Sequence, residues 1–92
     1  MAVYLVTYDL IAKSGEKRDY QPIWDAIDTF PNHEVLYSVS LVEAASATAI
    51  KDAITPALRK NDRFFVTRVR KGEHTYRAME GTNAWLEAHP QG

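Results

Sequence analysis

Apolar residues change their spacing several times along the chain, and each change marks an element. Val3-Tyr4-Leu5-Val6-Thr7-Tyr8 is β-branched and aromatic with apolar side chains on both parities, the pattern of a central strand buried on both faces. Ile11 to Arg18, with Ser14-Gly15 and three cations, reads as a polar loop. It leads to Asp19, a candidate N-cap, and to Pro22 in the first turn of a helix. Tyr20, Ile23, Ile27 and Phe30 recur at steps of three and four with Trp24 beside them, and Pro31-Asn32 ends the stripe.

Glu34 to Ala44 holds Val35, Leu36, Tyr37, Val39, Leu41 and Val42, too many β-formers for one strand, so two strands are expected with the turn at Ser38-Val39-Ser40. From Ser46, a second candidate N-cap, Ile50, Ala53, Ile54, Ala57 and Leu58 form another helical stripe reaching Asn61. Pro56 lacks the N–H that a helix needs, which predicts a kink near Asp52 or a final turn begun afresh. Phe64 to Val69 is the last strand, and Gly72 closes the basic stretch after it.

Strand, helix, strand, strand, helix, strand is the split βαβ order of an α+β, ferredoxin-like domain. Strands one and three should lie centrally in an antiparallel sheet, with strand four beside strand one and both helices on a single face. One domain is expected over 1–92, with its core in 3–71. The extension 73–92 offers a short strand at Thr75-Tyr76-Arg77-Ala78 and a helical stub capped by Thr82 and anchored by Trp85 and Leu86; its packing partner is not legible. The sheet face opposite the helices is left bare, and a second copy of the chain is the simplest cover, so a homodimer is expected.

The chain has 92 residues and no cysteine, which rules out a disulfide framework or a thiolate metal site and fits a reducing compartment. No run approaches the roughly 20 apolar residues of a membrane helix, and no basic region precedes the first apolar run. A cytoplasmic protein without membrane contact is therefore expected. The net charge of -1 argues against a dedicated high-affinity DNA binder. Charge is nevertheless uneven: between Arg59 and Arg77 stand seven cations and two acids, so this stretch carries +5 and the remainder -6. A solvated face and an anion-binding face both fit that asymmetry.

Asp9 is the most suggestive single residue, a carboxylate where the first strand meets a polar loop. Mg²⁺ or Mn²⁺ takes oxygen ligands and often only one or two carboxylates, so two symmetry-related Asp9 side chains with water would suffice across a dimer axis. Alternatively, Asp9 caps its loop or pairs with Lys13. His33, His74 and His89 stand singly near loops and read as surface histidines. No phosphate-binding glycine loop or serine or cysteine nucleophile motif is present. Trp24, Trp85 and the tyrosines fall largely at core-facing positions, which favours packing over base stacking.

Tyr4-Leu5-Val6-Thr7-Tyr8-Asp9-Leu10, Ser38-Val39-Ser40-Leu41-Val42 and Asn61-Asp62-Arg63-Phe64-Phe65-Val66 together resemble the small CRISPR-associated nuclease-like proteins of the spacer-adaptation machinery. The likeness is closer to their stand-alone ferredoxin-like relatives, in the superfamily of the virulence-associated D-type toxins, and spans roughly Val3 to Lys71. It implies a ferredoxin-like dimer with Asp9 as the metal-associated acid, Tyr8 as the aromatic before it, and Arg68, Arg70 and Lys71 placed to approach phosphates. The chain departs from the DNA-gripping members in its acidic total charge. Two readings follow: a non-catalytic dimeric module that binds nucleic acid or a protein partner, and, as the alternative, a divalent-metal-dependent endonuclease using paired Asp9 as catalytic and metal-binding residue.

Overall fold

The computed structural model describes residues 1–92. Strand β1 (Ala2–Asp9) leads to helix α1 (Gln21–Ile27), the hairpin β2 (Asn32–Leu36) and β3 (Val39–Ala44), helix α2 (Ala47–Ile54), strand β4 (Arg63–Arg68) and helix α3 (Thr82–Ala88). The sheet order is β2-β3-β1-β4 with every pair antiparallel. The fold is thus α+β with the expected ferredoxin-like strand order, β1 and β3 at its centre.

Both parities of β1 are used, which explains its continuous apolar run. Tyr4, Val6 and Tyr8 face α1 and α2 and join Ile23, Ile27, Ile50 and Ile54 in the main core. Val3 points the other way, into a smaller cluster with Val35, Leu41 and Leu86 against which Leu5 and Trp85 pack. The second face is therefore not wholly bare. Helix α3 covers the part of it formed by β2, β3 and the start of β1, so Leu86 is the packing anchor of the C-terminal extension.

Local signals decide the element ends. The Ser46 hydroxyl accepts the Ala49 N–H at 3.0 Å, so the expected cap opens α2. Pro56 sits outside α2 in a separate 3-10 turn, Thr55–Ala57, so the helix ends at Ile54 and the turn at Ala57, short of the expected Asn61. Asp19 does not cap α1: its carboxylate accepts the Gln21 N–H at 3.0 Å as a turn, and the helix starts after Tyr20. The hairpin turns at Tyr37-Ser38, one position before the expected one, with Ser38 in the left-handed region at φ 57°.

An irregularity between Glu34 and Leu36 shifts the β2 register. The extra residue places Val35 in the second-face cluster while Leu36 pairs with Val39 on that same face. Residues 75–78 join no strand, contrary to expectation. They pass over the second face and are tied down where the Met79 N–H donates to the Val35 carbonyl at 2.9 Å.

Candidate functional site

The charges of the basic stretch separate into satisfied and free groups. Arg59 pairs with Glu16 at 2.7 Å and Arg63 with Asp9 at 2.5 Å. Arg68, at the end of β4, and Arg70 and Lys71, just beyond it, are exposed and take part in no ion pair. A shallow groove runs beside them, lined by Leu5, Val69, Arg68, Arg70 and His74, with Glu73 as its one acid. Gly92 comes back against the Arg68 guanidinium, where a Cβ would lie 3.1 Å from it. The structure thus gathers Arg68, Arg70 and Lys71 at one end of the edge strand β4.

Asp9 stands at the other end of that edge. Antiparallel pairing sets it opposite Arg63, which explains their ion pair without any role for Lys13. Both side chains are exposed, so the pair is solvent-screened. Within the chain, Asp9 belongs to no cluster of three or more histidine, cysteine or carboxylate side chains. A small cleft beside Asp9 is walled by Thr7, Tyr8, Arg63, Phe64 and Phe65. The Tyr8 phenol faces the core, accepts the Trp24 indole N–H at 3.0 Å, and is pushed above its ordinary pKa by burial, with the indole bond opposing the rise. Tyr20 sits between Tyr8 and Trp24, with ring centroids 6.1 and 5.9 Å from theirs, so these aromatics pack on one another.

Asp62, which the pattern of apolar positions does not single out, is the best-satisfied carboxylate in the chain. It accepts four bonds: two from Arg18 at 2.6 and 2.8 Å, and one each from the Ile11 and Arg59 N–H groups at 2.9 and 2.7 Å. Its side chain is fully buried, and the Arg18 guanidinium, ahead of the two backbone donors, holds its carboxyl well below the usual carboxylate range. Nearby, Glu16 is also held below its ordinary value, chiefly by the Lys13 backbone N–H and then by Arg59. These bonds fix the loop after β1 to the loop before β4 and so set the rim on which Asp9 and Arg63 stand.

The histidines have structural partners in two cases of three. His33 is half-buried, and its Nε2 lies 2.9 Å from the Thr82 hydroxyl. That hydroxyl donates its only proton to the Met79 carbonyl at 2.7 Å, so it accepts from His33, which must carry hydrogen on Nε2. His89 stacks on Trp85 at 3.9 Å and donates from Nδ1 to the Trp85 carbonyl at 2.8 Å. His74 stays exposed.

One row of the second face that α3 does not cover crosses the whole sheet. Leu36, Val39, Thr7 and Phe65 are successive register partners across all four strands. Leu36 is 50% and Phe65 66% exposed, and Tyr37 beside them is 90% exposed. The row is apolar at Leu36, Val39 and Phe65 and interrupted only by Thr7. No protein-family model matches the chain, and no solved structure matches it significantly.

Proposed function

We propose that the chain is a homodimeric, non-catalytic module that binds nucleic acid through Arg68, Arg70 and Lys71. The observation that carries this reading is the clustering of these three unpaired cations at one end of β4: Arg59 and Arg63 are each neutralised by a carboxylate, and the other unpaired cations of the stretch, Lys60 and Arg77, lie outside that strand end. Free guanidinium and ammonium groups at a strand end contact phosphates without reading bases, so modest affinity, steep salt dependence and little sequence preference are expected. The Leu36-Val39-Thr7-Phe65 row supports the dimer, since a two-fold axis through it would cover the same apolar patch on both copies. The likeness to CRISPR-associated adaptation proteins belongs to this proposal and agrees with it.

The nuclease alternative has less support. That reading needs Asp9 carboxylates from two copies together with water, and in the single chain Asp9 is engaged by the exposed Arg63, which a Mg²⁺ or Mn²⁺ ion would have to displace. The test of the main reading is fluorescence anisotropy with labelled single- and double-stranded oligonucleotides between low and physiological salt. Wild type should bind with a salt slope that falls by up to about two units when Arg68 and Arg70 are both replaced by Ala. Absence of salt-dependent binding removes the nucleic-acid reading in favour of a protein partner on the same surface.

A further inference from the structure

Beneath the segment His74–Ala78 the second sheet face is hollow. The cleft measures about 390 Å³; its floor is Leu5 and Leu41 and its inner wall Val35 and Leu86. Small-molecule sites commonly fall between about 300 and 1,000 Å³ and combine an apolar body with a few fixed polar groups. This cleft has that make-up. Arg77 and His74 stand among the lining residues, which include no carboxylate.

The lip of the cleft is tied in place without a ligand. Met79 N–H holds to the Val35 carbonyl, His33 holds Thr82 at the start of α3, and the Tyr76 hydroxyl donates to Asn83 at 2.6 Å. A cavity with fixed walls spares a ligand the cost of ordering them. Arg77 is exposed, makes no ion pair and has no side-chain hydrogen bond to another residue. Charge complementarity therefore favours an anion at the lip and an apolar group on the floor.

We propose that this cleft binds a small amphipathic carboxylate, its tail lying over Leu5 and Leu41 and its head group on the Arg77 guanidinium. A planar guanidinium meets a carboxylate through two parallel hydrogen bonds, which an alcohol cannot match and an ammonium group opposes. Discrimination among ligands with the same tail then rests on Arg77. The cleft shares Leu5, Val69 and His74 with the groove beside Arg68 and Arg70, but its anion-holding group, Arg77, is none of the three cations of the proposed nucleic-acid surface, so the proposal stands whether or not those bind nucleic acid.

The test is a titration of the isotope-labelled protein with octanoate, octanol and octylammonium, each below its aggregation threshold, followed through backbone amide shifts. Octanoate should give saturable shifts at Leu5, Leu41, Ala78 and Leu86 and bind at least about tenfold more tightly than octylammonium. Arg77→Gln should remove about tenfold of the octanoate affinity and leave octanol unchanged. Ala78→Phe, which fills the cleft from its lip, should abolish both. Should Ala78→Phe fail to fold, Arg77→Gln carries the test alone, because that exposed side chain holds nothing in place. Equal affinity for octanoate and octylammonium overturns the proposal, as does octanoate binding indifferent to Arg77→Gln. Leu36 and Val39 belong both to the cleft's edge and to the proposed dimer row, so shifts there on raising protein concentration are expected; the same shifts at Leu41, Ala78 and Leu86 without ligand would assign the cleft interior to a second copy and overturn the proposal.

Discussion

Arg18 and Asp62 meet through two parallel N–H···O bonds of 2.6 and 2.8 Å although 44 residues separate them. The same Arg18 nitrogen that bonds Asp62 Oδ1 also donates to the Ile11 carbonyl at 2.7 Å, so one guanidinium closes both loops at this end of the sheet.

This pair gives the domain an acid-sensitive joint. Asp62 has its folded pKa depressed, so the stability it contributes is complete above the unfolded value near 4 and is lost as pH falls from there toward the folded pKa. Wild type should therefore melt at progressively lower temperature from about pH 5 downward. Asp62→Asn should flatten that dependence and lower the melting temperature at pH 7, because the Arg18 guanidinium loses its counter-charge. Thermal melts across pH 3 to 7 on the two proteins check both statements, and parallel pH curves would refute the first.

The strands were legible because each carries its reason locally. β1 reads as doubly buried from six consecutive residues, and Ser46 and Pro56 each act within one turn of themselves. What was hidden depends on distant partners. Nothing around Leu86 says which surface it covers, and the Val35 irregularity that turns Leu36 toward Val39 arises from pairing, not composition. Of the site, Arg68, Arg70 and Lys71 stood out by charge density, whereas the pairing of Asp9 with Arg63 needed the β1–β4 register and the Arg77 cleft needed the path of residues 74–78.

The two faces of β1 should respond unequally to a charge. Val6 is fully buried under both helices, and Val6→Asp should cost on the order of 4 kcal/mol and unfold the domain. Leu5 lies on the second face and is only half-buried beside the cleft, so Leu5→Asp should leave a folded protein with a lowered melting temperature. Equal loss in the two variants would mean that the second face is as tightly sealed as the first.

Phe65 tests the dimer. It ends the apolar row on the edge strand and is two-thirds exposed in the single chain, so Phe65→Glu removes an exposed ring at little expense to the monomer fold. Wild type at micromolar concentration should scatter light as a dimer and Phe65→Glu as a monomer with an unchanged far-ultraviolet spectrum. A wild-type monomer mass independent of concentration would remove the dimer from the proposal.

Asp9→Asn separates the two functional readings. Because the Asp9–Arg63 pair is exposed and screened, losing it should change stability by less than about 1 kcal/mol, so any functional effect is read on an intact fold. In a nuclease, the amide keeps the shape of the carboxylate but supplies no charge to a divalent cation, and cleavage with Mg²⁺ or Mn²⁺ should vanish. In a non-catalytic module, wild type and Asp9→Asn should be equally silent on RNA and DNA, while oligonucleotide affinity holds or rises slightly as Arg63 is freed to add one cation to the edge. Cleavage seen in wild type and surviving unchanged in Asp9→Asn belongs to a contaminant or another residue. Cleavage that disappears with the carboxylate, in a protein of unchanged melting temperature, would replace the binding-module reading by the catalytic one.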